Sequence, residues 1–220
     1  MMWNRTALLG IGLAGLLMAA GCATTMTEAP KPASMKEDSV HVRTWNRFVD
    51  ELLGLHKSLT AGKPMTVTRK PGGYATHPDF YIEEEYRDSD GRLISRVQWE
   101  KQHPDTVHVI EVYLHDKKGR VIRDYVGAYL PDYRNAPTQT LISLHGYNGR
   151  LHAFRTFDAS GDLLFERCEG KYAGKPVDIR LEFDDIYAME GEPNTTLTSK
   201  PYLACFKGIQ KTAGKYLQPQ

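Results

Sequence analysis

Two histidines, His145 and His152, flank an Asn148-Gly149 pair. Asn-Gly favours two-residue hairpins. With those two residues as the loop, Tyr147 faces Arg150, Gly146 faces Leu151 and His145 lies directly opposite His152. Opposed strand positions are roughly 4.5–5.5 Å apart at Cβ, a spacing that suits two imidazole ligands of a Zn or Cu ion. His108 or His115 would then supply a third ligand. Against this, strands carry histidine for structural reasons, and no cysteine or carboxylate sits at ligand spacing. The acidic groups Glu83-Glu84-Glu85 and Glu182, Asp184, Asp185 could pair carboxylates for glycoside chemistry. Adjacent strand residues point to opposite faces, however, so the glutamate run reads as a solvated edge. The chain contains no G-x-S-x-G, H-E-x-x-H, C-x-x-C or phosphate-loop pattern. No catalytic residue is assigned, no cofactor is expected, and the chain reads as a non-enzyme.

Cys168 and Cys205 are the cysteines remaining after Cys22. An even pair fits a disulfide, which would staple the C-terminal segment onto a strand; the alternative is two buried thiols.

The elements that would position these residues form an α+β fold. From Ser39 to Ala61, Val42, Trp45, Phe48, Val49, Leu52, Leu53 and Leu59 recur at helical spacing, and Gly62 and Pro64 end the run. One amphipathic helix follows, packed by that stripe on the domain; a membrane-surface helix is disfavoured because its polar face, Asn46, Arg47, Asp50, Glu51 and Lys57, is not lysine-rich. Lys70-Pro71-Gly72-Gly73 and Thr76-His77-Pro78 read as a turn-rich linker. Beyond it the period changes to two, giving strands near 80–88, 92–101, 106–116, 120–130, 138–146, 150–157, 162–169 and 177–184. Three turns share one pattern, with Asp88, Asp116 and Asp158 each three residues before Gly91, Gly119 and Gly161. An Asp opens the turn and glycine takes the left-handed position, so each is a three-residue hairpin loop. A curved, mainly antiparallel up-and-down meander of 7–8 strands follows, either open or closed as a barrel. Ser199 caps a short C-terminal helix with Pro201 in its first turn, burying Tyr202, Cys205, Phe206 and Ile209.

The hairpins weakly resemble tyrosine-aspartate and MORN-type repeats over about residues 86–165. The likeness implies a topology and no function.

The N-terminus has its own signature. Arg5 precedes an apolar run, Ala7 to Met18, that closes on Ala19-Ala20-Gly21-Cys22. This resembles the lipobox of bacterial lipoproteins, with Ala19 where that family prefers Leu. The resemblance implies cleavage before Cys22, acylation of Cys22 and, with Ala23 rather than Asp following, an outer-membrane address. The apolar run is shorter than the roughly 20 residues that span a bilayer. The expected organisation is signal peptide 1–21, tether 22–38, one domain over 39–214 and a frayed tail 215–220. Lys and Arg number 28 against 27 Asp and Glu; losing Arg5 leaves a formally neutral mature chain, in which nothing suggests a nucleic-acid partner, and none is expected.

The leading expectation is a non-enzymatic, lipid-anchored lipoprotein of the outer membrane facing the periplasm, an interaction or structural module with a protein partner in the envelope. The alternative is a carrier for lipid or another hydrophobic ligand, prompted by aromatic residues such as Tyr86, Trp99, Tyr125 and Phe154 along the sheet. An envelope hydrolase or metal-binding protein is third.

Overall fold

The computed structural model describes residues 40–129, 137–187 and 195–214, which fall in one compact unit. The expected signal peptide (1–21), Cys22, the expected tether and the expected tail lie outside the described residues.

Helix α1 (Val40–Thr60) buries Val42, Phe48, Val49, Leu52 and His56. Nine strands follow: β1 (Thr66–Tyr74), β2 (His77–Arg87), β3 (Leu93–Glu100), β4 (His103–His115), β5 (Val121–Ala128), β6 (Gln139–Asn148), β7 (Leu151–Phe157), β8 (Leu163–Tyr172) and β9 (Lys175–Glu182). They form one antiparallel sheet in sequence order, β1 to β9. The sheet is open, with β1 and β9 as its edges. Helices α2 (Phe183–Ile186) and α3 (Lys200–Cys205) follow, with a 3₁₀ turn at Thr195–Thr198. The Ser199 Oγ accepts from Tyr202 N at 3.3 Å and Pro201 sits in the first turn of α3.

The count is nine, not seven or eight, because residues 66–74 pair as a strand where a linker was expected. Pro71, Gly72 and Gly73 interrupt the signal there, but an edge strand tolerates proline because one side needs no ladder partner. Thr66, Val67 and Thr68 have the β-branched character that strands favour, and they pair with Arg87, Tyr86 and Glu85.

The three Asp–Gly turns have the expected local chemistry. Asp88 Oδ1 accepts from Asp90 N at 3.0 Å and Arg92 N at 2.9 Å, and Asp116 and Asp158 make the same pair of bonds. Gly91, Gly119 and Gly161 have φ of 77°, 75° and 96°, the region that favours glycine.

One sheet face carries the core. Val97, Ile110, Val112, Tyr125, Ile142, Ala153, Phe157 and Cys168 are fully buried there. Two coverings share this face: α1 lies over β3 to β6, and the segment from α3 onward lies over β6 to β8. Each approaches across a glycine. A Cβ on Gly127 would stand 2.8 Å from Val49 Cγ2, and one on Gly146 would stand 2.5 Å from Ile209 Cγ1.

Candidate functional site

His145 and His152 lie on the sheet face turned away from α1. Pairing of Asn148 with Leu151 makes Gly149-Arg150 the loop, so Tyr147 faces His152 and His145 faces Phe154. The expected direct opposition of His145 and His152 is therefore wrong by one turn residue. Gly149, with φ of 63°, occupies the first loop position, while Asn148 stays in β6 and its Nδ2 donates to Ala204 O at 2.8 Å.

The two rings still meet, on the diagonal. They stack at 10° with His145 Nδ1 and His152 Nε2 3.0 Å apart. His145 Nε2 donates to Asp124 Oδ2 at 2.5 Å. A carboxylate on Nε2 makes Nδ1 the acceptor, so the chain runs from His152 Nε2–H through His145 to Asp124. Tyr147 stacks on the outer face of His152 at 7°, and Arg120 lies 4.3 Å from the Tyr147 centroid. Burial, then the neighbouring His145, holds the His152 imidazole below its ordinary pKa. Both nitrogens of His145 are thus engaged within the protein, and no group of three or more His, Cys, Asp or Glu among the described residues could hold a metal ion. His108 does not join them: it is fully buried on the α1 face, with Phe80 and Tyr81 around it and its Nε2 bonded to Tyr74 Oη.

The glutamate run is not a solvated edge. Glu83 and Glu84 are 6% and 7% exposed, because β1 lies outside β2. Lys70 pairs with Glu83 at 2.9 Å and Arg69 with Glu84 at 2.7 Å. Arg96 joins Glu83, Glu85 and Glu111 at 3.2, 3.0 and 3.0 Å. On the other face Glu84 also accepts from Trp99 Nε1 and from Tyr86 Oη, and burial, then that bond, pushes the Tyr86 phenol to about 12. These carboxylates are consumed by cross-strand pairing, which is the ordinary way a sheet satisfies buried charge. Glu182, Asp184 and Asp185 do something different at the β9–α2 junction. There Asp185 Oδ2 accepts from Glu182 N at 3.0 Å.

Cys168 and Cys205 form a disulfide with a Cα–Cα distance of 6.0 Å. Beside it runs a buried network missed in the sequence. Arg155 Nε donates to Glu166 Oε1 at 2.5 Å, their side chains 5% and 2% exposed. Tyr202 Oη donates to Glu166 Oε2 at 2.8 Å, and Arg155 Nη1 donates to Ile209 O at 2.7 Å and Gln210 O at 3.2 Å. Arg155 and Glu166 are opposed in the β7–β8 ladder, and their position on an otherwise apolar face was the one available signal. Covalent and polar ties together hold the C-terminal segment on the sheet.

No family model matches this chain, and no curated protein matches it. Among solved structures, a DUF3836 family protein from Bacteroides vulgatus ATCC 8482 is similar over 48% of this chain and 100% of its own, at 10% sequence identity and a TM-score of 0.28.

Proposed function

We propose that the chain is a lipid-anchored module of the bacterial cell envelope that works by binding a protein partner. The anchor rests on the Arg5, apolar run and Ala19-Ala20-Gly21-Cys22 pattern. The Cys168–Cys205 disulfide supports the address, since such bonds persist in oxidising compartments. The observation that favours a module over a carrier is the filled interior. Phe48, Leu52, Val97, Ile110 and Tyr125 are fully buried between α1 and the sheet.

Radiolabelled palmitate tests the anchor. The full chain takes up label and fractionates with outer membrane, while Cys22→Ser takes up none; label retained by Cys22→Ser overturns the assignment. Native mass spectrometry of residues 23–220 from an oxidising periplasm tests the module, which predicts an apo mass with one disulfide. A lipid retained in stoichiometric amount through desalting overturns it in favour of the carrier.

A further inference from the structure

The meander sorts its turns to two ends. Those joining β2 to β3, β4 to β5, β6 to β7 and β8 to β9 lie at one end of the strands, and those joining the other pairs lie at the opposite end. His41 Nδ1 is 2.7 Å from Ser160 Oγ in the β7–β8 turn, so α1 begins at this second end and the chain leading into Val40 attaches there. Leu59, near the close of α1, sits with Asp88 and Arg92 at the first end.

Charge is sorted the same way. At the first end Lys117, Lys118, Arg150, Lys171, Lys175 and Lys207 are exposed, and none of their side chains forms an ion pair among the described residues. Lys207 belongs here because its neighbour Gly208 borders the same opening as Asp88 and Arg92. The carboxylates nearby are already engaged: Asp88 and Asp90 with Arg92, Asp116 with Arg120, Glu169 with Arg167 and Asp178 with Arg180. The second end has the reverse bias. Asp105, Asp162, Glu182, Asp184 and Asp185 are exposed there, while Lys101 is paired with Asp79.

The backbone places Arg150 and Lys171 together. Lys171 N donates to Arg150 O at 3.3 Å. Gly170, at φ of 133°, permits this approach, since a Cβ there would stand 2.0 Å from that oxygen. The two cations border one open hollow with Asn148, Gly149, Ala173 and Gly174, a seat for a carboxylate with a positive group on two sides. Alternate turns stand two strand spacings apart, so from the β4–β5 turn to the β8–β9 turn the cations spread over roughly 19 Å. Six extended residues of a second chain span about 20 Å. A row this short, on a chain whose other end is acidic, matches a short run of carboxylates and not a continuous polyanion.

We propose that this basic end is where the module meets its partner, and that the partner presents a short acidic segment. One carboxylate sits between Arg150 and Lys171, and others face Lys117, Lys118 and Lys175. The assignment rests on the reading of the chain as a protein-binding module, and it puts the contact at the end away from the attachment of the proposed anchor.

Fluorescence anisotropy with the full chain in neutral detergent tests it, using dye-labelled peptides of six glutamates or six glutamines. The glutamate peptide binds saturably at about 50 mM salt and at least about tenfold more weakly at about 300 mM, where exposed charges are screened; the glutamine peptide does not bind. Arg150→Glu with Lys171→Glu weakens the glutamate peptide by at least about tenfold. Lys101→Glu with Arg43→Glu, the same charge change at the opposite end, alters it by less than about threefold. Circular dichroism checks that each variant folds; if the first does not, Lys117→Glu with Lys118→Glu on the exposed β4–β5 turn takes its place. Absence of saturable binding, or equal loss in the two variants, overturns the proposal. So does tighter binding of a thymidine hexanucleotide, or of phosphatidylglycerol vesicles at equal charge, which would assign this end to nucleic acid or to a membrane. The palmitate and mass-spectrometric tests involve none of these cations, so they and this titration fail independently.

Discussion

His56 lies between α1 and β3, 6% exposed, with Nδ1 2.8 Å from Ser95 Oγ and its ring edge-on to Tyr86 at 4.7 Å. Burial lowers its pKa, partly offset by the Glu84 charge. A base whose folded pKa lies below its unfolded value contributes stability that is complete above the unfolded value, about 6.5, and is lost as pH falls through the folded one. Wild type therefore loses stability between pH 7.5 and 5.5. His56→Gln, which keeps a hydrogen-bonding group toward Ser95, loses less; urea midpoints at the two pH values check this. Sites such as Arg155 behave oppositely to intuition. Arg155→Met leaves Glu166 buried without its cation and is expected to cost about 3–5 kcal/mol, whereas Arg155→Met with Glu166→Leu recovers most of that loss. Denaturant unfolding of the single and double variants separates the two. At this scale the sequence is weakest. His145 and His152 were recognisable as a pair because both flank one turn, yet their geometry depended on which residue opened the loop. Arg155 and Glu166 were each visible only as a charge at an otherwise apolar strand position, because what joins them is the register of β7 on β8.

The elements were legible wherever their code is local. An Asp followed three residues later by Gly determines its own turn through bonds within five residues, so Asp88, Asp116 and Asp158 could be read directly. Strand β1 could not, because Pro71-Gly72-Gly73 is a turn signal by composition and a tolerable edge strand by context. Missing β1 also misread Glu83 and Glu84, whose cations Lys70 and Arg69 sit on that strand. Close approach of elements is similarly non-local, and Gly127 is the case in point. Gly127→Ala would push a Cβ to 2.8 Å from Val49 Cγ2, displacing α1 from β5, and is expected to destabilise by about 1–3 kcal/mol as an overpacked contact. The disulfide, by contrast, was readable from two cysteines. Its loop spans a sequence separation of 37, and replacing both Cys168 and Cys205 by Ala is expected to cost about 4 kcal/mol in the chain-entropy model. Both values are read from denaturant curves.

Across the whole molecule, an open sheet leaves two strand edges that invite another chain. Both are defended. β1 carries Arg69, Lys70 and Pro71, and β9 carries Lys175, Pro176 and Arg180 in exposed positions. Proline withholds a ladder donor and the charges repel a second copy. Removing the defence from β9 with Pro176→Thr and Arg180→Thr is expected to raise self-association, seen as a concentration-dependent rise in sedimentation coefficient, while the wild type stays constant over the same range. This guarding also argues that a partner of the proposed module would recognise side chains and not a free strand edge.

The strictly sequential strand order has a consequence for manufacture. A polypeptide synthesised N-terminus first presents α1 and then each strand next to the one it must join, so assembly can keep pace with delivery and no strand waits for a distant mate. The exception is the last stretch. Cys205, Tyr202 and the carbonyls of Ile209 and Gln210 arrive after every strand is out, so until then Cys168 has no disulfide partner and the Arg155–Glu166 pair lacks its further hydrogen bonds. Oxidation of Cys168 with Cys205 is therefore a record of completed delivery: a chain cut short before residue 205 cannot acquire it.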